Sequence, residues 1–185
     1  MKPSHKKEFP LDKIRRFLEP GPIVLVSSEW KGKQNIMTMG WHTVMGFSPS
    51  LIGCYIWEEN LSHELIKRSG ECVINLPTVE LMETVVKIGN ISGRDVDKFS
   101  EFDLTPVKGK KVGAPLIKEC FAHFECKVYD AKMVKKYNFF ILEVIRAQAA
   151  TSPKDPKTFH YTGDGRFMLS GGHKSLKKLF REDYL

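Results

Sequence analysis

The chain has 185 residues, 42% hydrophobic and 28% charged, the balance of an ordinary globular protein of single-domain length. No apolar run approaches the roughly 20 residues that a bilayer-spanning helix requires, and the polar start MKPSHKKEFP shows no secretory signal, so a cytoplasmic location is expected. Lys and Arg number 29 against 22 Asp and Glu, a formal charge of +7, which favours anionic partners without choosing among nucleic acids, nucleotides and phosphate-bearing cofactors.

In LDKIRRFL, residues 11–18, the apolar positions recur at helical intervals and predict a short leading helix, stopped by Pro20, Gly21 and Pro22. PIVLVSS follows as a buried strand, EWKGK as a turn, and Asn35 to Phe47 as one or two further strands. Ser48-Pro49-Ser50 turns into the strand LIGCYIW. Asn60 or Ser62 is placed to cap a short helix through Lys67, ended by Gly70, and ECVINLP returns as a strand. A second helix starts at Thr78 with Leu81, Val85 and Ile88 on one face, then GNISGRDVDKF forms a polar loop entering a helical turn. Long strands are predicted over 119–130 and 138–150, followed by the hairpin FHYTGDGRFMLSGG and a basic terminal helix.

Strands dominate without regular strand–helix alternation, which selects a mainly β fold, an antiparallel barrel with short helices. One domain is expected over 1–185, with a core of about 20–150 and a C-terminal hairpin and helix over 158–185. Val24 and Leu25, like Phe139 to Leu142, are apolar on both strand faces, so those strands must be covered twice.

The four cysteines form no C-x-x-C pair. A strand through Cys120, His123 and Cys126 would place the two thiols roughly 20 Å apart with the imidazole on the other face, so no metal site is read there. Nor is there a dinucleotide fingerprint, since Gly163-x-Gly165 lacks a third glycine and sits in a hairpin, and Gly172-His173-Lys174-Ser175 lacks the upstream glycine of a phosphate loop. No spacing selects a catalytic triad. The basic residues are scattered and unaccompanied by an RNP-like aromatic motif, so solvated faces are preferred to a nucleic-acid surface. A basic β-barrel that binds nucleic acid remains the rival of another class.

The order of the segments carries more. PIVLVSS, QNIMTMGWHTVMGFSPSLIGCYI, SHELIKRSGECVINLP, GNISGRDVDKF and APLIKECFAHFECKV together resemble the flavin reductase-like family of FMN-binding split β-barrels, and most of all its flavoredoxin and ferric reductase-like branch. N-x-M-T-x-x-W and S-G-R-D-x-D-K-F carry the likeness jointly, over roughly residues 20–150. It implies non-covalent FMN, with NADH or NADPH as possible donor or a redox protein in its place, and chemistry done by the flavin so that no catalytic side chain is required. It implies either a reductase or a flavoredoxin-type electron carrier, and a homodimer with the flavin near the interface.

The residues suit such a ligand. Asn35 can donate to and accept from polar flavin edges, Thr38 offers a hydroxyl, and Met37 and Trp41 share the alternate series of Asn35 and can wall a flat ring. Ser62 stands at a helix start, where amides and a hydroxyl can meet a phosphate. Ser92, Arg94 and Lys98 form a hydroxyl and cation loop, in which Gly93 is read as permitting a tight turn. By resemblance Lys98 is the lysine that reaches the cofactor. Tyr137 stands where relatives often carry a histidine, and Phe167 stands in the tail where relatives place an aromatic near the flavin.

Overall fold

The computed structural model describes residues 21–176. The leading helix predicted over 11–18 and most of the basic terminal helix lie outside the described residues. The elements are β1 Val24–Trp30, β2 Lys33–Met39, β3 His42–Phe47, β4 Ser50–Tyr55, α1 Leu61–Ser69 and β5 Glu71–Leu76. A 3-10 turn at Val79–Leu81 leads into α2 Met82–Asn90, and α3 Lys98–Glu101 precedes the short strands β6 Pro106–Val107 and β7 Leu116–Ile117. Then come β8 Ala122–Asp130, α4 Val134–Tyr137, β9 Phe139–Ala149, β10 Phe159–Gly163 and β11 Arg166–Leu169.

Seven strands form one antiparallel sheet in the order β2-β1-β5-β8-β9-β4-β3. Its two outermost strands, β2 and β3, are consecutive in sequence and separated by only Gly40 and Trp41. Three Cα steps span about 11 Å at most, so the sheet must curl until its edges meet at that corner. The result is the barrel expected from the strand pattern.

Alternation sorts the side chains between lumen and outer surface. Val24 and Val26 of β1, Met39 of β2, Cys54, Cys72, Ile74, Cys126, Phe140 and Leu142 fill the lumen, and Ile66 of α1 and Val134 of α4 join the same cluster. Leu25 and Ile36 face the other way, into a second core with Val85 and Ile88 of α2, Phe99 of α3 and Phe159 of β10. The two-sided apolar character of β1 is thereby explained, since one face lines the barrel and the other is covered by α2, α3 and the β10–β11 hairpin. Turn chemistry matches the sequence. Lys31 and Gly32 both take positive φ, 50° and 81°, as do Asp164 and Gly165, 54° and 70°, the geometry of two-residue hairpin turns. Gly70 ends α1 at φ 74°. The predicted strand over 119–130 begins only at Ala122, and Cys120 turns instead into the second core.

A buried polar cluster fixes the segment between β6 and β8 against the sheet. Asn75, fully buried, donates from Nδ2 to the Leu25 carbonyl at 3.2 Å and to Ser27 Oγ at 3.0 Å, and its Oδ1 accepts from the Ile117 amide and His123 Nδ1, each at 3.0 Å. Ser27 Oγ donates to the Pro115 carbonyl. Glu125, fully buried, accepts from the Lys111 and Val112 amides and from Arg146, whose Nη1 is 2.7 Å away. Every one of these groups is satisfied, which is what makes so polar a cluster tolerable in the interior.

Candidate functional site

The loop after α2 is built by local capping. Asp97 caps α3, with Oδ1 accepting from the Phe99 amide at 3.0 Å and Oδ2 from Ser100 Oγ at 3.1 Å. Phe99 anchors that turn in the second core, and Lys98, the first residue of α3, is buried, its Nζ donating to the Ile88 carbonyl at 2.8 Å. Burial pulls the Lys98 pKa down to about 8, so the group is still a cation at neutral pH. Among the described residues it has no carboxylate partner. A buried ammonium held by one carbonyl is a costly arrangement that an anion would relieve.

Across from it, β2 presents Asn35 and Met37. With Trp57, Asn60, Ser92 and Lys98, these residues line a cavity of about 200 Å³, closed by the end of α2 and residues 91–93 and rimmed by the solvated Glu59. Asn35 is 4% exposed; its Nδ2 donates to Ser62 Oγ at 2.9 Å, while its Oδ1 has no hydrogen-bond partner. An orphaned buried acceptor of this kind is rare in a finished interior, and this one is enclosed against the Gly93 backbone. The first turn of α1 borders the cavity through Asn60 and Leu61, and its N-cap, Asn60, makes no side-chain cap bond. The positive end of that helix therefore adds to the Lys98 charge.

The sequence-predicted residues are thus divided. Asn35, Met37, Ser92 and Lys98 meet at one cavity, with Ser62 directly behind Asn35. Thr38 faces away, its hydroxyl donating to the Val85 carbonyl of α2 at 2.6 Å. The alternate series from Asn35 ends with β2 at Met39, and Trp41 lies in the β2–β3 link, half exposed, its ring 5.1 Å from that of Tyr55. Arg94 reaches Glu64 of α1 at 3.2 Å. Tyr137, at the end of α4, is half exposed under Lys136; its neighbour Asn138 accepts from the Ile56 amide at 2.9 Å, beside Trp57. Phe167 packs in the hairpin core against Phe159 and Tyr161.

Two contributors were not read from the sequence in these roles. Trp57 lines the cavity, and the signal was available: an aromatic at a strand end, three residues before a helix cap. Gly93 lies in the tight turn read from the sequence, where the Asp95 amide donates to the Ser92 carbonyl at 3.2 Å, and it does so without a left-handed φ. What its missing Cβ supplies is space, because a Cβ there would fall 1.9 Å from Asn35 Oδ1.

The residues fit FMN in kind: a cation and a helix N-terminus for a phosphate, an unpaired acceptor for a hydroxyl or ring N–H, and an aromatic and a thioether for a flat ring. Residues 15–167 match the flavin reductase like domain. The chain belongs to that family. It is 38% identical over 125 residues to an uncharacterised protein of Archaeoglobus fulgidus, covering 68% of this chain and 71% of that one. It is 32% identical to the uncharacterised protein YddH of Escherichia coli, over 84% and 90% of the two chains. Among solved structures, an FMN-binding domain of a flavin reductases-like enzyme from Shewanella baltica superposes with a TM-score of 0.77 at 27% identity, covering 91% of this chain and 96% of that one. The flavoredoxin of Methanosarcina acetivorans shares the fold at TM-score 0.82 and 23% identity, over 98% and 100% of the chains.

Proposed function

We propose that the chain binds FMN non-covalently and serves as a flavin reductase-like oxidoreductase. The carrying observation is the pairing, across one cavity, of the buried Lys98 ammonium with the unpartnered Asn35 Oδ1. An anion belongs at the first and a hydrogen-bond donor at the second, as in the phosphate and polyol of FMN. Bound flavin supplies hydride and single-electron chemistry. The side chains have other tasks. Lys98 and the α1 N-terminus hold the phosphate, Asn35 and Ser92 orient the polyol and ring edge, and Met37 and Trp57 exclude water. Thr38, Trp41, Arg94, Tyr137 and Phe167 carry expected flavin roles on the family likeness alone.

The cavity is smaller than the roughly 300–1,000 Å³ of ordinary cofactor sites, so it suits the phosphate and polyol end and leaves the ring to be covered from outside. A second copy of the chain is the proposed cover. It would close over the exposed apolar side chains of the barrel corner, where Phe47 is 93% and Val44 67% exposed. Reduced nicotinamide dinucleotide or a redox protein is the proposed donor in the cytoplasm.

An absorbance spectrum of the purified protein and mass spectrometry of its heat-released flavin test the reading, with FMN as the expected product. A colourless protein that ignores added FMN, or recovery of mainly FAD, overturns it. Anaerobic mixing with NADH and NADPH then separates a reductase from a flavoredoxin-type carrier, which would not bleach at useful rates.

A further inference from the structure

Ser28 and Asn35 are direct partners in the β1–β2 register. Both lie on the lumen series, with Val24 and Val26 on one strand and Met37 and Met39 on the other. An apolar pair would be ordinary there. Instead three polar side chains converge: Ser28 and Ser62 are fully buried and Asn35 nearly so, Ser28 Oγ donates to Ser62 Oγ at 3.3 Å, and Asn35 Nδ2 donates to the same oxygen at 2.9 Å. Strand and helix are thus joined through one hydroxyl.

The consequence falls on Asn35. A carboxamide has a donor end and an acceptor end, and either can face a ligand. With Nδ2 anchored on Ser62, Oδ1 is the end left without a partner in the cavity wall, and Gly93 leaves it room. A ligand group that reaches Oδ1 must bring a hydrogen, as a hydroxyl or ring N–H does and a phosphate dianion does not. Ser28 does not itself line the cavity, yet it bonds the oxygen on which the amide is anchored.

We infer that Ser28 is a positioning residue for the candidate cofactor site, acting through Ser62 to hold the Asn35 amide with its acceptor toward the ligand. This rests on the FMN reading above. It leaves a built-in control, because the neighbouring Ser27 is equally buried but faces outward, bonding the Pro115 carbonyl and Asn75.

The test is FMN titration of the wild type, S28A, S27A, N35A and the S28A/N35A pair, together with visible circular dichroism of the bound flavin. S28A should weaken FMN by about three- to tenfold, the scale of one lost hydrogen bond, and alter the flavin dichroism. In the N35A background the same change should matter by less than about twofold. S27A should lower the melting temperature and leave FMN affinity within about twofold of wild type. Equal losses for S28A and S27A, or an S28A effect undiminished beside N35A, overturn the inference while leaving FMN binding intact. A wild type that takes up no FMN overturns both. S28T should restore the dichroism, and S28C, which keeps the volume with a weaker bond, carries the same comparison if S28A does not fold.

Discussion

Gly93 and Asn35 occupy complementary spaces: a Cβ on the glycine would stand 1.9 Å from the asparagine Oδ1 and 2.6 Å from its Cγ. The S-G-R-D segment therefore closes the cavity by backbone, and no larger residue can take the glycine's place without displacing the amide. Substituting Gly93→Ala should cost about 1–3 kcal/mol of stability by overpacking and weaken FMN by at least about tenfold if the displaced amide loses its bonds. Flavin fluorescence titration beside a thermal melt checks both, and wild-type affinity in a folded G93A protein would place the flavin elsewhere.

Lys98 makes the binding pH-dependent in a known direction. Its pKa is lowered to about 8 by burial, so the ammonium is present below that pH and is lost as pH rises through it. A phosphate prefers the charged form, hence FMN affinity should be highest below pH 8 and fall above it. The free protein should show the opposite trend, because between about 8 and the ordinary lysine value the unfolded chain binds more protons and stability rises with pH. Riboflavin, lacking the phosphate, should bind with little change across the same range. Lys98→Ala should weaken FMN by about 1.5–3 kcal/mol and riboflavin far less. Parallel losses for both ligands would show that Lys98 does not read the phosphate.

Much of this architecture was legible in the residues. The alternation in PIVLVSS and FFILEVI, the Lys31-Gly32 and Asp164-Gly165 turns and the Asn60-to-Gly70 helix all stand where local chemistry puts them. Periodicity tells which residues share a face but not which face a neighbour will cover. Thr38 and Asn35 both read as polar strand positions, and only the docking of α2 decides that Thr38 meets the Val85 carbonyl while Asn35 meets a cavity. The Asn75 cluster was invisible for a similar reason: its partners Leu25, Ile117 and His123 come from three separate segments.

The Glu125–Arg146 pair should carry a measurable share of stability. Burial by itself pushes the Glu125 carboxyl up, but the Lys111 amide, Arg146 and the Val112 amide outweigh it and hold its pKa below the ordinary value. Its contribution is therefore present at neutral pH and lost as pH falls through the depressed pKa. Arg146→Ala leaves a buried carboxylate without its cation, and with the arginine 23% exposed the loss should lie near the lower end of the buried-pair range, about 3 kcal/mol. Urea denaturation at pH 7 and again at pH 4 measures it. A loss of under about 1 kcal/mol, typical of exposed pairs, would show that the Lys111 and Val112 amides alone suffice.

Association of two chains is the last expectation, and it follows from what the barrel leaves bare. β3 is an edge strand of the sheet, and Val44, Met45 and Phe47 on it stand exposed beside Trp41 of the preceding link. An edge of this kind invites a partner, and a cavity of about 200 Å³ holds only part of a flavin. A stable dimer buries on the order of 2,000 Å² or more and dissociates on dilution. Light scattering of the FMN-loaded protein at micromolar concentration should thus give about twice the 21.2 kDa chain mass. Phe47→Asp, at a position 93% exposed, should leave the fold intact, shift the mass toward the monomer and weaken FMN in the same sample. Monomeric wild type with full flavin occupancy would sink both the dimer and the shared pocket; a monomeric F47D protein that keeps full FMN affinity would sink the shared pocket alone.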